Sequence, residues 1–486
     1  MAYPSLIAGR VAAGFDAERG QTIVAALSTD SILGIGSNAK TVPTFAGLHW
    51  TKMTLPDDAM PRPGSGLHFV TDSSNPQKPL SELFTVLGPK AGVAGSKLWP
   101  GVYGVDNRHF LNAANLTTQG AVPSINSYGA PPAGMQNPLL GVCVAQGTMN
   151  PQLNTTARFI FCLDYKDELC FRESIASWVR QQFPLGEWTV LRQERLAAGV
   201  ELDGASPIAA GTTTQLAAFR VPLPVAVVRT RDKSQIAVAL LTDPTRGTWQ
   251  ILVSNPLPFW VRGGLAGPNK IGDSILTTSP PATSVTFSGD ISAHTATTDL
   301  SIFVTSTSGH LFTCQLLVDD ASGQPFLSDW SDLQSPGLFQ MVDPTIDSLT
   351  GGWSSAWSEH RIYVRTLDDN YNLTIPGAQK SHWIPACWRC RTDGFNLSVW
   401  ENTTDPHDSN WADYQKIGWR YLSYPAYYAS SVHRFPQIGD YDTILSLAAP
   451  VLSAFKPVGV FELADGPPVQ MAKPVASFWS QIHLPP

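Results

Sequence analysis

The chain has 486 residues, a net charge of −7 at pH 7 and charged side chains at only 15% of its positions. It carries no stripe of Lys and Arg that could offset phosphate charge, which excludes nucleic acid as a partner. No apolar run is long enough to span a bilayer. With 39 Gly, 39 Pro and 15 Trp, the composition indicates many turns and an aromatic core, and it favours the all-β class.

The first clear pair of predicted elements follows a stretch, 1–135, that shows little repetition. Strands are predicted at 157–162 and 169–171, on either side of a charged turn, with Trp178 beyond them. Residues 165–182 are also the one candidate helix of the chain, although a strand competes over the first half. The stretch therefore predicts a hairpin followed by a tryptophan.

The same unit returns three more times. Its clearest copy is 299–330, where alternating strands around Ser308-Gly309 predict a hairpin and Trp330 closes the unit. Weaker copies have strands at 235–240 and 249–252 with Trp260 beyond, and at 360–364 and Leu373 with Trp383 beyond. A repeated strand–turn–strand–Trp unit is typical of a β-propeller. Because no linker divides the composition, we expect a single propeller domain over 1–486.

Sequons and cysteines bear on the cellular compartment. Candidate N-glycosylation sites occur at Asn115, Asn154, Asn372, Asn396 and Asn402. Cys162 and Cys170 flank a predicted hairpin turn, where a cross-strand disulfide is feasible, and reduced core cysteines are the alternative. The N-terminus lacks the apolar segment of a signal peptide. We expect a secretory or extracellular protein whose signal peptide is absent from this sequence, with a cytoplasmic location as the alternative.

Catalytic and metal-binding motifs are scarce. Cys387 and Cys390 form the only CxxC, and no second ligand pair stands at a spacing typical of zinc. The surroundings also lack the βαβ pattern of a thioredoxin-like site. We therefore expect a structural disulfide or free loop thiols there, and neither a metal nor a cofactor. GxSxG, HExxH, P-loop and EF-hand motifs are missing, so motifs supply no function.

The 299–330 unit resembles one blade of the fungal fucose-specific lectins, six-bladed propellers of the kind found in orange-peel mushroom. Residues 291–295 match the inner strand with which blades of that family begin, and a hairpin and a closing Trp follow. The resemblance covers residues 139–383. It implies one propeller of four-stranded antiparallel blades, with six blades favoured and seven kept open.

The same comparison speaks against a simple fucose site. In that family an Arg on the second strand and a Glu on the third hold neighbouring hydroxyls, and a Trp contacts the apolar sugar face. Ser301 and Thr313 occupy those two positions in the clearest unit. Arg158 and Arg361 match the Arg in two other units, but no Glu follows in the matching place.

A divergent propeller retains one candidate site, the central channel or its mouth, where inner strands and their loops converge. The suitable residues are aromatic or basic and fall into clusters: His294; Trp353 and Trp357 with His360 and Arg361; Tyr424 and Tyr428 with His433 and Arg434; Tyr103 with His109. For each residue alone, packing between blades or a structural cation–π contact is the alternative.

Fungal hetero-Diels–Alderases of tropolone-sesquiterpenoid pathways resemble degenerate propellers of this type. The resemblance implies dehydration of a hydroxymethyl tropolone to a quinone methide, then stereoselective cycloaddition with a humulene-type terpene. Such chemistry needs mainly orientation in a dry pocket, with an acid and an oxyanion clamp. On this hypothesis the acid is His294, His360 or His433, the clamp is Arg361 or Arg434, and the walls are Trp353 and Trp357.

Two classes of function therefore stand. The favoured hypothesis is this pericyclase, whose partners are a tropolone and a terpene. The alternative is a carbohydrate-binding lectin of the fucose type, whose partner is a glycan, and a purely structural propeller is a third reading. In each case we expect a monomer or a homodimer.

Overall fold

The computed structural model of the chain describes residues 6–16, 21–28, 33–37, 49–52, 59–61, 67–72, 80–89, 101–106, 125–134, 143–150, 155–175, 187–191, 199–216, 221–261, 275–288, 293–333, 346–354, 359–368, 382–391, 418–421, 441–448, 458–463, 466–472 and 480–482. All regular structure in these stretches is β-strand. They contain no helix of the length and hydropathy that a membrane span requires.

The strands form seven antiparallel sheets, which we number as blades 1 to 7. Blade 1 contains β1 (Leu6–Asp16), β2 (Gln21–Ser28), β3 (Leu33–Ser37) and β4 (His49–Lys52). Blade 2 contains β5 (Ala59–Pro61), β6 (His68–Asp72), β7 (Leu80–Pro89), β8 (Gly101–Asp106) and β9 (Ile125–Gly129). Blade 3 contains β10 (Cys143–Asn150), β11 (Thr155–Leu163), β12 (Leu169–Ile175) and β13 (Thr189–Val190).

The other four blades follow in chain order. Blade 4 contains β14 (Ile208–Thr213), β15 (Leu223–Arg229), β16 (Ile236–Asp243) and β17 (Thr248–Val253). Blade 5 contains β18 (Ile275–Thr278), β19 (Thr283–Ser288), β20 (Ala293–Thr305), β21 (Leu311–Asp319), β22 (Pro325–Leu327) and β23 (Ser331–Asp332). Blade 6 contains β24 (Ile346–Ser354), β25 (Glu359–Asp368), β26 (His382–Arg391) and β27 (Gly418–Tyr421). Blade 7 contains β28 (Tyr441–Ala448), β29 (Val458–Leu463), β30 (Gly466–Ala472) and β31 (Ser480–Ile482).

The blades are arranged in a closed ring. The first strand of each blade contacts that of the next, in the order β1, β6, β10, β14, β18, β24, β28, and β28 contacts β1 again. A ring of radially arranged, four-stranded antiparallel sheets is a β-propeller, so the predicted fold class is confirmed. The structure has seven sheets, the number that the sequence kept open beside the favoured six. In blades 2 and 5 the first strand is interrupted, and its two parts pair with successive parts of the second strand.

The predicted hairpins agree with the structure in part. The pairs β11–β12, β16–β17 and β20–β21 lie where the sequence placed them, although β16–β17 joins the third and fourth strands of its blade and the other two join the second and third. The prediction for the last unit, with strands at 360–364 and Leu373, is wrong about the second strand. The partner of β25 is β26, and Trp383 lies within it, opposite Leu367. A helix over 165–182 is wrong for 165–175, which form a turn and β12, and the remainder lies outside the described residues.

The interior is apolar because each blade packs between two others. In β16, the residues from Ile236 to Leu241 are all buried, since both faces of the strand are covered. Trp249 of blade 4 joins blade 3, with its ring centroid 4.8 Å from that of Phe171 and 6.0 Å from that of Phe161. Large aromatic side chains thus supply part of the contact between blades 3 and 4.

Two further tryptophans join blades through hydrogen bonds. The indole N–H of Trp188, in blade 3, donates to the carbonyl of Tyr128 at the end of blade 2, at 2.8 Å. Trp330 in blade 5 donates in the same way to the carbonyl of Asn255, which follows blade 4, at 2.8 Å. The repeated tryptophan is therefore structural at these two positions.

The contact that a tryptophan makes between neighbouring blades, which we call the seam, has a sequence signal. Trp followed three residues later by Leu, Ile or Met occurs at Trp50, Trp188, Trp249, Trp330, Trp419 and Trp479. Each of these tryptophans lies in, or directly before, the fourth strand of a blade. Only blade 2 lacks the pattern among the seven sheets of the described residues.

The meander defines two faces of the ring. Successive strands alternate in direction, so turns between second and third strands emerge at the same face as the connections from one blade to the next. We call this the upper face. The turns between first and second strands emerge at the opposite, lower face. These two faces locate every candidate site discussed below.

Candidate functional site

The structure describes only part of the predicted site. His360, Arg361 and Trp353 lie at the lower face of blade 6, where β24 ends and β25 begins. Of His294 and Tyr103 the backbone alone is described, in β20 and β8. The remaining predicted site residues lie outside the described stretches: Trp357, Tyr424, Tyr428, His433, Arg434 and His109.

His294 does not belong to a separate inner strand, and that part of the prediction is wrong. His294 is paired with Phe287 on the neighbouring strand, near the turn of the β19–β20 hairpin. The 13 residues of β20 run continuously from there into the second strand of the blade. Inner-strand contacts to the neighbouring blades are made by β18 instead.

His360 is a buried residue between blades 5 and 6. Its Nδ1 lies 3.0 Å from Oγ1 of Thr278, and its ring is edge-on to Trp353 with centroids 4.9 Å apart. Phe303 covers it from blade 5, at 5.7 Å. Burial lowers the pKa of His360 to about 3, because the charged form loses its hydration. The imidazole is therefore neutral at ordinary pH, which speaks against its predicted role as an acid.

Arg361 is also buried, with only 4% of its surface exposed. Its backbone is approached closely by β24, since a Cβ on Gly351 would stand 2.0 Å from the Arg361 carbonyl oxygen. Gly351 has φ +132°, a conformation that favours glycine. The strand pair is thus packed too tightly here for a ligand to enter between the two strands.

The positions compared with the fucose grip are buried as well. Ser301 is 0% exposed, Thr313 is 1% exposed, and Thr313 donates to the carbonyl of Ile302 within its own blade. Arg158 and Arg361 are buried to a similar degree. Because these four residues are buried, their identities neither support nor oppose a sugar site on the surface.

The cysteine predictions need two corrections. Cys162 and Cys170 stand directly opposite each other on β11 and β12, but both are free, buried thiols in the structure. Burial raises the pKa of both thiols, and nearby carboxylates raise it further. Cys387 and Cys390 lie in β26 and not in a loop. Their Cα atoms are about 10 Å apart along the strand, too far for a mutual disulfide.

The described residues contain neither a metal-binding cluster nor a sequon asparagine. No group of three or more His, Cys, Asp or Glu in the described stretches could hold a metal ion. The five sequon asparagines, Asn115, Asn154, Asn372, Asn396 and Asn402, lie outside those stretches, and their glycosylation stays a prediction.

A different group of residues stands out on the upper face. Among the described residues, three large apolar side chains are exposed: Tyr165 at 63%, Phe259 at 44% and Trp260 at 57%. Tyr165 lies in the turn between β11 and β12, and the other two lie in the connection from blade 4 to blade 5. Exposed aromatic side chains that share one face indicate a binding surface.

The segment that carries Phe259 and Trp260 is held rigidly. Leu257 and Val261 are buried, and their N–H groups donate to the carbonyls of Ser234 and Lys233, at 2.8 and 2.7 Å. The two apolar anchors flank the pair and leave Phe259 and Trp260 turned outward between them.

Further backbone contacts fix the same segment to blade 5. The Trp260 carbonyl accepts from the N–H of Thr307, at 2.8 Å. Val261 forms an isolated β-bridge with Ser306, and its carbonyl accepts from the guanidinium of Arg229, at 2.9 Å. The aromatic pair thus rests on backbone tied to both blades.

Lys233 adds a cation beside Trp260, with its Nζ 5.6 Å from the ring centroid. It lies in the turn before β16 with φ +66°, a left-handed conformation that is uncommon for a residue other than glycine. Asp232 stabilises this turn by accepting hydrogen bonds from Thr230 and Ser234. The backbone from which the Lys233 side chain extends is therefore fixed.

Tyr165 is held in place by a glycine. A Cβ on Gly134 would stand 2.6 Å from Cε2 of the Tyr165 ring, so the ring lies directly against this backbone. Gly134 has φ +82° and closes a turn by donating to the carbonyl of Pro131, at 2.8 Å. One side of the phenol is covered and the other side faces solvent.

Sequence reasoning did not find this surface. Trp260 was read as a blade-closing tryptophan, although the residue three positions later is Gly263 and not an aliphatic one. The Pro-rich stretch 254–260, which ends in two adjacent aromatics, is the available signal. Trp188, which does hold a blade, was passed over.

No protein-family model matches the sequence, and no curated protein matches it either. Among solved structures it is similar to a polysaccharide lyase, an ulvan lyase bound to a GlcA–Rha3S unit, with 8% identity over 100% of this chain and 99% of that chain and a TM-score of 0.49. The BP39L lectin from Burkholderia pseudomallei has 12% identity over 98% and 99%, with a TM-score of 0.46.

The Aleuria aurantia lectin, described as a six-bladed β-propeller with a novel mode of fucose recognition, has 11% identity over 100% of this chain and 99% of that chain, with a TM-score of 0.32. The structural neighbours thus include fungal fucose-binding lectins, as the sequence resemblance implied. The likeness lies in the fold alone, and the function of this chain is argued from its own residues.

Proposed function

We propose that this propeller binds carbohydrate and that the sugar rests on Phe259 and Trp260 at the upper face. The observation that carries the proposal is that all three exposed large apolar side chains of the described residues lie on this face. A sugar ring has an apolar face that stacks on an aromatic ring and a rim of hydroxyls that needs polar partners. Lys233 lies close to Trp260, and its ammonium group can donate hydrogen bonds to the hydroxyls.

The geometry also suits recognition without large rearrangement. The backbone of the aromatic pair is anchored by hydrogen bonds to two blades, so little backbone freedom is lost when a ligand binds. An extracellular or secretory location remains our proposal for a protein of this kind, on the basis of the sequons. Binding alone needs no acid, base or metal.

The hetero-Diels–Alderase function stays a prediction. Of its residues the structure describes the side chains of His360, Arg361 and Trp353, and all three contribute to packing at the lower face of blade 6. A neutral, buried imidazole is a poor source of the proton that dehydration of a tropolone alcohol requires. No contact in the described residues favours the pericyclase over the binding protein.

A glycan array with the full chain tests the proposal directly. We expect binding to at least one glycan class, loss of about tenfold or more in affinity for Trp260→Ala, and no change for Arg246→Ala, an exposed control on the lower face. Retention on fucose-agarose with elution by free fucose would identify fucose as that class. Binding that survives Trp260→Ala unchanged, or no binding to any glycan, would contradict the proposal.

A further inference from the structure

We propose that Tyr165 and Trp260 are the two ends of one extended site, which binds a linear, uncharged oligosaccharide across the upper face of blades 3 and 4. This inference rests on the proposed carbohydrate-binding function and names its ligand class. It follows from the contacts that join the two exposed aromatics, from the charges between them and from the rigidity of both ends.

Two turns and two side-chain contacts link the positions of the two aromatics. Tyr165 shares its turn with Asp167, whose carboxylate accepts from Arg231 at 2.9 Å. Arg231 lies in the same turn as Lys233, and the Lys233 ammonium lies 5.6 Å from the ring centroid of Trp260. We call this line of residues the upper strip. A ligand that follows it meets an aromatic ring at each end and polar groups between.

The charges of the upper strip compensate one another. Arg231 is paired with Asp167 and also with the carboxylate of Glu201, and both Arg231 and Glu201 are more than half exposed. Asp232 lies next to Lys233 in the turn. With Lys166 and Glu168 of the Tyr165 turn included, four carboxylates accompany three cations, so the strip offers no net positive charge to a polyanion. Paired charges of both signs are suited to the hydroxyls of a neutral sugar, which donate and accept hydrogen bonds.

Both ends are preorganised, and they lie in different blades. The Tyr165 ring rests against Gly134, and Trp260 is tied through its backbone to blade 5. A monosaccharide can cover only one of the two rings, because they belong to turns of separate blades. A chain of several sugars can cover both, and each stacked sugar then adds to the affinity.

Titration calorimetry of the full chain with oligosaccharides of increasing length tests this inference. The probes are the mono- to hexasaccharides of the cello, malto, manno, xylo and chito series, with hexagalacturonate as the acidic comparator. In the series that binds, we expect the hexasaccharide to bind about tenfold or more tighter than the monosaccharide. Hexagalacturonate should bind more weakly than the neutral hexasaccharide of the series that binds.

Variants test each of the two ends. Tyr165→Ala should weaken hexasaccharide binding about tenfold and remove most of the gain in affinity from monosaccharide to hexasaccharide, and Trp260→Ala should do the same. Tyr165→Phe keeps the ring and should retain most of the affinity. Thermal unfolding of each variant controls for folding, which these exposed positions should not affect.

The outcomes distinguish the two proposals. If affinity does not depend on length, or if Tyr165→Ala binds the hexasaccharide like the unaltered chain, the extended site is wrong and the carbohydrate-binding function stands. Tighter binding of hexagalacturonate would contradict an uncharged ligand. If no series binds, the proposed function itself fails.

Discussion

Trp330 and Trp260 lie at the same boundary, between blades 4 and 5, and have opposite environments. Trp330 donates its indole N–H to the Asn255 carbonyl and packs against the core of blades 4 and 5. Trp260, five residues beyond Asn255 in the same connection, exposes 57% of its surface and has Lys233 beside its ring. The same segment thus accepts a hydrogen bond at Asn255 from a partly buried, structural tryptophan and carries an exposed tryptophan at position 260.

The difference shows that tryptophan content alone does not indicate function in a propeller. Where the ring fills the space between blades, its removal lowers the free energy of unfolding. Where the ring is exposed and its backbone is already anchored, the fold gains little from it, and a ligand is the better explanation. Four predictions follow, from the largest expected effect to the smallest, and the first and third test this contrast directly.

Trp249→Ala should cause the largest loss of stability. The side chain is 5% exposed and packs against Phe159, Phe161 and Phe171 of the neighbouring blade. Removing a buried aromatic ring costs about 3–5 kcal/mol, whereas an exposed substitution such as Trp260→Ala changes stability by about 0.5 kcal/mol or less. Denaturant unfolding of both variants measures the two values, and similar losses would contradict the contrast.

The buried His360 should make the protein acid-sensitive. Its folded pKa of about 3 lies below the unfolded value, so the unfolded chain takes up the proton first. Stability is complete above about pH 6.5 and falls by roughly 1.4 kcal/mol per pH unit as the pH drops toward about 3. His360→Gln cannot take up this proton and should show a shallower slope in denaturant unfolding measured across that range. Equal slopes would show that His360 is not buried as described.

Trp330→Phe should have an intermediate effect. It removes the only indole hydrogen bond to the Asn255 carbonyl among the described residues and should cost about 1 kcal/mol. Trp188→Phe is the matched control and should cost less, because Arg172 also donates to the Tyr128 carbonyl. Thermal unfolding of the two variants compares them. A larger loss for Trp188→Phe would contradict this account of the seam.

The thiols of Cys162 and Cys170 should react with a thiol reagent only after unfolding. Both are buried and free, and burial raises their pKa, which suppresses the thiolate. We expect no effect on stability from a reductant. Counting reactive thiols with and without denaturant checks this, and the double variant with Ala at both positions serves as the blank. A disulfide between them would instead agree with the bridge expected from the sequence and favour an oxidising compartment.

The sequence predicted the architecture better than the inner layer of the ring. Hairpins such as β20–β21 have a local signal, alternation around a Gly turn, and Gly309 adopts φ +84° there. First strands such as β18 are short and pair across an interruption, so their partners cannot be read from neighbouring residues. The sequence predicts that Trp383 closes a unit, because the stretch between β25 and β26 is too long for a local hairpin signal.

The candidate site at the upper face was not predicted from the sequence, and the reason is physical. Basic and aromatic residues close together in sequence, such as His360 and Trp353, mark packing between strands as readily as they mark a pocket. Burial decides between the two, and burial depends on the neighbouring blade, which is distant in sequence. Tyr165 and Trp260 are distant in sequence, and the turns of blades 3 and 4 that bring them to one face are joined through Arg231.

The most direct test observes the indole N–H groups of a ¹⁵N-labelled sample by NMR during titration with the tightest-binding neutral oligosaccharide. The signals of Trp260, Trp330 and Trp188 are assigned by the loss of each in its Trp→Phe variant. We predict that the Trp260 signal shifts with the ligand while those of Trp330 and Trp188 stay in place. A shift of Trp330 or Trp188 without any change at Trp260 would contradict the central claim that the exposed aromatic face is the binding site.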